Sequence, residues 1–410
     1  MANTLLTIQD ITRESLRVLH STAHFIKTIN RQYDDRFAKS GAKIGTDLYV
    51  RLPNRYTVRT GAALSAQNTV NRKVTLPVAT QKGVDMNFSS VDLTMKLEDF
   101  SKNIIKPAIA TLVANVEADA LSMYKKVGNY VGAVSGQLDF EKLTTGRQVL
   151  TENLAPPDDD RTALLAPKSA TKFMVDTKGL FQSSNGIAEQ YKKGKLGEIS
   201  GFTARESTLI PTHTPGTHDS ANTNGASQGN AGTGNAWVET SDIVTNGWNN
   251  STAVLKAGDI ITIADCFDVH PETKVSTGVL KRFSVESDVT SDGSGNATVT
   301  VRPAVIYGGA YQNVNAAVAT SKAITVLGTA ATAYGQDLLY HKDAFIFATA
   351  DLEDVSNMGV KCSREMFEGI SMRLVRQYDI NSDNLPCRLD ILYGYVAAYP
   401  ELACRHVFQL

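Results

Sequence analysis

Gly225-Ala226-Ser227-Gln228-Gly229 spells the GxSxG pattern in which a serine, raised on a sharp strand-to-helix turn, acts as a nucleophile. Here both flanks are rich in Asn and Gly, with no apolar run to form the strand, so the pattern lacks the context that would give it chemistry. His213, His218 and Asp219 offer nitrogen and oxygen ligands for a metal ion, but no fixed third ligand is evident. They lie in the segment Thr212–Ala236 (THTPGTHDSANTNGASQGNAGTGNA), which has almost no large apolar side chain and reads as a flexible surface loop carrying solvated histidines. Asp158, Asp159 and Asp160 lack the spacing of a calcium loop and read as an acidic turn before a strand. No glycine-rich phosphate cradle is present. Cys266, Cys362, Cys387 and Cys404 are scattered, with no CxxC, as free core thiols are. Catalysis, cofactors and metals therefore have no home in the sequence, and a non-enzyme is expected.

A different chemistry is concentrated between residues 47 and 73. Arg51, Arg55, Arg59, Arg72 and Lys73 stand there against Asp47 alone, on extended chain broken by Pro53, Gly61 and Pro77. Breakers of this kind belong to exposed strand edges, and a two-stranded excursion has no core of its own. Two readings stay open: a solvated edge guarded by charge, or guanidinium groups that bridge carboxylates on a neighbouring chain.

The elements that position this excursion follow from periodicity. Apolar residues at helical spacing from Ile8 to Phe37 predict an amphipathic arm. Val84, Met86 and Phe88 alternate as in a strand, with a phase slip at Ser89-Ser90 before Val91, Leu93 and Met95. A long helix is expected from Pro107 to Val127, burying Ile109, Leu112, Val113, Val116, Ala120, Met123, Tyr124 and Val127 opposite Asn115, Glu117, Asp119 and Lys126. Mixed helix and strand follow to Arg205. From Trp248 to Leu327, strands such as DIITIAD and ATVTVRP, punctuated by turns such as SDGSGN, predict a small antiparallel barrel inserted into a surrounding domain. At the C-terminus, Leu389, Ile391, Tyr393, Tyr395, Ala397 and Tyr399 alternate, Pro400 interrupts, and Leu402, Cys404 and Phe408 resume. One strand leaving a sheet and a second entering another is the expected arrangement.

The 410-residue chain has 42% hydrophobic and 20% charged residues and a formal net charge of -1. That composition suits a soluble globular protein of two or three domains without a membrane span, and it lacks the basic signature of a protein that grips nucleic acid. No export or lipidation signal is evident at the N-terminus.

In the order arm, GAKIGTDLYVRLPNRYTVRTGAALS, strand, KPAIATLVANVEADAL, mixed domain and RLDILYGYVAAYPELACR, the chain resembles the major capsid (coat) proteins of tailed bacteriophages with the Hong Kong 97-type fold. AGDIITIADCFDVHPETKVSTG and SDGSGNATVTVRP resemble the inserted barrel, or I-domain, of the short-tailed branch. The resemblance implies an α+β fold with an N-terminal arm at 1–40, an E-loop at 41–76, a peripheral domain with a spine helix at 77–137 and 358–399, an axial domain at 138–212, 337–357 and 400–410, and an I-domain at 213–336. It implies a non-catalytic shell protein of the virion, assembled in the host cytoplasm from pentamers and hexamers of itself. A scaffolding protein, a portal protein and decoration proteins are the implied partners, with packaged double-stranded DNA as a non-specific neighbour and no membrane. Arg51, Arg55, Arg59, Arg72 and Lys73 would contact the adjacent subunit. Lys43 and Lys73 lie near where some relatives cross-link, but with no acceptor identified that chemistry is not carried over. The competing readings are a bacterial nanocompartment shell protein and, from another class, a β-rich carbohydrate-binding module that would stack sugars on Trp237 or Trp248.

Overall fold

The computed structural model describes residues 8–33, 47–64, 66–67, 72–89, 105–132, 134, 136–177, 196–233, 237–367, 370–381 and 384–410. The chain divides into two compact units, one of residues 1–50, 74–121 and 345–396, the other of 51–73, 122–344 and 397–410. No helix among the described residues is long and apolar enough to cross a membrane.

The first unit is built on a six-stranded sheet. Its strands run in the order Asn30–Tyr33, Phe345–Ala350, Asn384–Ala397, Ile370–Arg376 and Lys361–Phe367, and Thr80–Ser89 also pairs with the long strand Asn384–Ala397. Leu389, Ile391 and Tyr393 are buried, as their alternation requires, and Tyr395 is half-buried. Helix Ile8–Thr22 packs on the sheet, with Ile11, Leu16 and Leu19 buried. The helix expected to continue to Phe37 ends at Thr22; the 3-10 turn Ile26–Thr28 follows, and residues 30–33 pair in parallel with 346–349 as extended backbone. Residues 34–37, the phase slip at Ser89-Ser90, the 91–95 alternation and Lys43 lie outside the described residues.

The expected long helix runs over Lys106–Leu121 and tightens into a 3-10 turn at Ser122–Lys126. Its apolar stripe is buried as expected, but Glu117, assigned to the polar face, is only 1% exposed. The cause is a capping demand from elsewhere in the chain. The first N–H groups of the 3-10 turn Ile26–Thr28 have no partner within the turn. Glu117 Oε1 accepts them from His24, Phe25 and Ile26 at 2.6, 2.7 and 3.3 Å.

Burial raises the Glu117 carboxyl above its ordinary 4.5, against the pull of those three N–H groups and the nearby His24. A raised folded-state value means that the folded chain holds the proton more tightly than the unfolded chain. This contribution to stability is complete below pH 4.5 and is lost as pH rises through the folded-state value. Glu117→Gln keeps an acceptor oxygen and cannot ionise. Its stability relative to the wild type should therefore climb as pH rises above 4.5, read from urea midpoints across a pH series. A pH-independent difference between the two proteins would contradict this account.

The second unit holds a seven-stranded sheet and a closed barrel. The sheet runs Tyr130–Val131, Ala403–Gln409, Tyr334–His341, Arg161–Leu165, Phe202–Glu206, Glu198–Ile199, with Thr212–His213 also on Tyr334–His341. The C-terminus thus has its second strand in a second sheet, with Pro400 opening the 3-10 turn Pro400–Leu402 that intervenes. Helices Phe140–Glu152 and Pro167–Thr177 accompany this sheet and share its core through Leu143, Leu150, Ala170, Phe173 and Leu339. The barrel closes through Ala221–Thr223, Ser241–Asn246, Ala297–Arg302, Ser276–Val285, Ile260–Val269 and Ala323–Val326. Val254, Leu255, Ile263, Phe283, Val299 and Val301 fill its interior. The SDGSGN turn forms because the Asp292 carboxylate accepts the N–H groups of Ser294 and Asn296.

Thr212–Ala236 is not the loose loop that its composition suggests. Over its described residues, 212–233, it supplies a barrel strand, and Thr223, Asn224, Gln228 and Asn230 donate backbone bonds to Lys322, Val244, Val318 and Val305. Ladder hydrogen bonds hold it where side-chain burial alone could not. His213 is correspondingly buried rather than solvated. Its Nε2 donates to Asp259 Oδ1 at 2.6 Å, which leaves Nδ1 to accept from the Tyr124 hydroxyl at 3.2 Å.

Candidate functional site

The basic excursion is a ladder of Asp47–Leu52 with Arg72–Pro77. Residues alternate strictly along the returning strand: Arg72, Val74 and Leu76 are buried, Lys73, Thr75 and Pro77 exposed. Thr57 and Gln67 bind one another, the Thr57 N–H donating to Gln67 Oε1 at 2.9 Å and Gln67 Nε2 to the Thr57 carbonyl at 2.5 Å. These bonds tie the two sides together beyond the paired strands.

The structure separates the five basic residues. Arg51, Arg59 and Lys73 are exposed, and the Arg59 guanidinium donates to the Gly61 carbonyl. Arg55 is half-buried, 4.0 Å from Glu401 Oε1, and its backbone N–H donates to the Tyr311 hydroxyl at 3.4 Å. Arg72, expected on solvent-exposed chain, is only 7% exposed. Its guanidinium carbon lies 5.0 Å from the Trp237 ring centroid and 5.3 Å from that of Tyr311. Burial and then the nearby Arg55 lower its pKa, while Glu401 opposes that shift. Face, not charge, decides its position. The alternation Arg72-Val74-Leu76 already put this arginine on the inner side, where a cation survives by stacking on aromatic rings.

The excursion also exposes large apolar residues. Val58 is 96% and Leu64 88% exposed, and Tyr49 and Tyr56 each show more than half their surface. Large apolar side chains at such exposure, interleaved with arginines, match the composition of protein interfaces. The available signal was that these residues lie on a segment with nothing to bury them.

The other candidate groups are engaged structurally. Ser227 sits in a bend next to Gln228, which bridges to Val318, so no strand-turn-helix surrounds it. Asp158 accepts from His341 Nε2 at 3.0 Å, and Asp160 lies 3.6 Å from Lys342 Nζ. Trp248 is buried, its indole N–H donating to Thr245 Oγ1, and Trp237 is half-buried with the Arg72 guanidinium over its ring. All four cysteines are free. Among the described residues, no three His, Cys, Asp or Glu side chains gather closely enough to hold a metal ion.

The chain belongs to the phage coat proteins, as a family profile covering most of its length shows. More narrowly, the chain belongs to the P22 coat protein family (P22 coat protein, gene protein 5), whose family profile it matches over residues 54–408. It is 25% identical over 167 residues to a major capsid protein of Acyrthosiphon pisum secondary endosymbiont phage 1, a match covering 39% of this chain and 39% of that relative. Among solved structures it is similar to one from Mycobacterium phage Che8, with 12% identity, TM-score 0.45 and coverage of 94% of this chain and 90% of the other. It is also similar to the CUS-3 coat protein I-domain, with 28% identity and TM-score 0.20, covering 27% of this chain and 98% of that domain.

Proposed function

We propose that the chain is the major capsid protein of a tailed phage, a structural protein whose copies assemble into the icosahedral shell around packaged double-stranded DNA. The family match over residues 54–408 carries this reading. The fold is read as Hong Kong 97-like: the first unit as the peripheral domain with the spine helix Lys106–Leu121, the seven-stranded sheet as the axial domain, and the closed barrel as the inserted I-domain. Scaffolding, portal and decoration proteins are its partners, and it is assembled in the host cytoplasm. A formal net charge of -1 suits a lining that does not bind DNA tightly.

The excursion 47–77 is read as the E-loop, laid across the adjacent subunit. Its exposed arginines would meet carboxylates there, while Tyr56, Val58 and Leu64 bury apolar surface. Arg51→Glu with Arg59→Glu should leave the monomer's circular dichroism unchanged and lower the yield of sedimenting shells at least tenfold. Unchanged assembly would remove the excursion from the interface.

A further inference from the structure

The root of the excursion gathers more positive charge than its surroundings neutralise. Arg72 stacks against Trp237 and Tyr311, and its Nε has no hydrogen-bond partner. Arg55 donates its backbone N–H to the hydroxyl of the same Tyr311. Lys274 Nζ donates to the carbonyl of the next residue, Gln312, at 3.2 Å, and to that of Pro271 at 2.6 Å. Three basic residues thus meet at Tyr311-Gln312, Arg72 and Lys274 through their side chains and Arg55 through its backbone, with the Arg55 guanidinium close enough to act on the other two charges. Among the described residues, the carboxylate paired with them is Glu401, at 4.0 Å from Arg55. The crowding shows in their titration: burial, then Arg55, push Lys274 down to about 8, and the same two causes lower Arg72.

We infer that this cationic notch receives the acidic turn Asp158–Asp160 of a second copy of the chain. The inference rests on the shell reading and names the partner surface that reading leaves open. Asp158-Asp159-Asp160 is the one run of three acidic residues in the sequence. All three are exposed, and Pro156 and Pro157 before them limit the conformations that binding would have to select. Within its own chain the turn meets His341 and Lys342, not the notch. A carboxylate arriving from a neighbour would be drawn by the unbalanced charge and could take paired hydrogen bonds from the half-buried Arg55. Tyr56 and Val58, exposed beside Arg55 in sequence, favour a protein occupant over nucleic acid, which calls for a stripe of cations spaced along phosphates.

The test is a charge swap read by light scattering and sedimentation velocity on the full-length chain, with circular dichroism as the control for folding. Arg55→Glu with Lys274→Glu should cut shell yield at least tenfold, and Asp159→Arg with Asp160→Arg should do the same. All four changes in one chain should recover at least a third of the wild-type yield. Lys274→Gln, which removes charge without reversing it, should lower yield by a smaller factor and keeps the test open if the double reversal misfolds. Shells from the wild type with unimpaired single-side variants, or no recovery in the swap, would overturn this inference alone. So would normal assembly accompanied by weakened binding of a fluorescent DNA duplex. A wild-type chain that never assembles would overturn the shell reading and this inference together.

Discussion

Replacing Asp259 with alanine should destabilise the second unit by roughly 3–5 kcal/mol, because it strips the acceptor from several donors that have no other partner. The side chain is fully buried and serves three donors: His213 Nε2 at 2.6 Å, the Lys256 N–H at 2.8 Å and the Gly216 N–H at 3.2 Å. Alanine leaves all three without an acceptor, and each buried, unmet polar group costs about 1–3 kcal/mol. Damage should spread, because His213 holds the Tyr124 hydroxyl and the Tyr124 ring lies under the buried Arg405 guanidinium, 5.7 Å from its carbon. Both tryptophans, Trp237 and Trp248, belong to the second unit, so their fluorescence follows its unfolding. A large fall in the urea midpoint is expected. Asp259→Asn, which retains an acceptor oxygen, should lose markedly less. An alanine variant with the wild-type midpoint would show that the network contributes nothing.

Gly394→Ala should be the most disruptive single-methyl change in the first unit. A Cβ at this position would lie 2.0 Å from the Pro77 carbonyl oxygen and 2.8 Å from its carbon. These are backbone atoms, so no side-chain rotation relieves the overlap. Either the ladder of Thr80–Ser89 on Asn384–Ala397 shifts, or the long strand bends. Over-packing of this kind costs about 3 kcal/mol. The glycine marks a close passage of two backbones, a familiar reason for glycine inside a strand. Hydrogen exchange should show faster exchange on 80–89 and 384–393 in the variant, together with a lower unfolding midpoint. Wild-type exchange on both strands would contradict the packing described here.

Much of the architecture was legible because each element carried its own period. The terminal alternation from Leu389 to Tyr393, the stripe from Ile109 to Val127 and the turn at Asp292 are local signals, satisfied by local geometry. The failures share a different cause. Glu117 and His213 are polar residues whose burial is set by donors and acceptors distant in sequence, namely the amides of His24–Ile26 and the carboxylate of Asp259. Residues 30–33 extend because a strand more than three hundred positions away offers an edge. The polar segment after Thr212 is ordered by backbone ladders, to which side-chain composition is blind.

The candidate site was found by charge but only half understood by it. Arg51 and Arg59 stand where the sequence put them, while Arg72 is withdrawn between two rings contributed by the 237–311 region. The apolar half of the surface, above all Val58 and Leu64, became visible only once exposure was known. Hydrophobic residues are ordinarily counted toward a core, and these have none.

The most direct test of the central claim is electron microscopy with sedimentation velocity on the full-length chain, expressed alone and together with its neighbouring genes. The account predicts closed or aberrant shells of uniform wall thickness, with DNA inside those made in the complete phage context. A chain that stays monomeric under both conditions would contradict it.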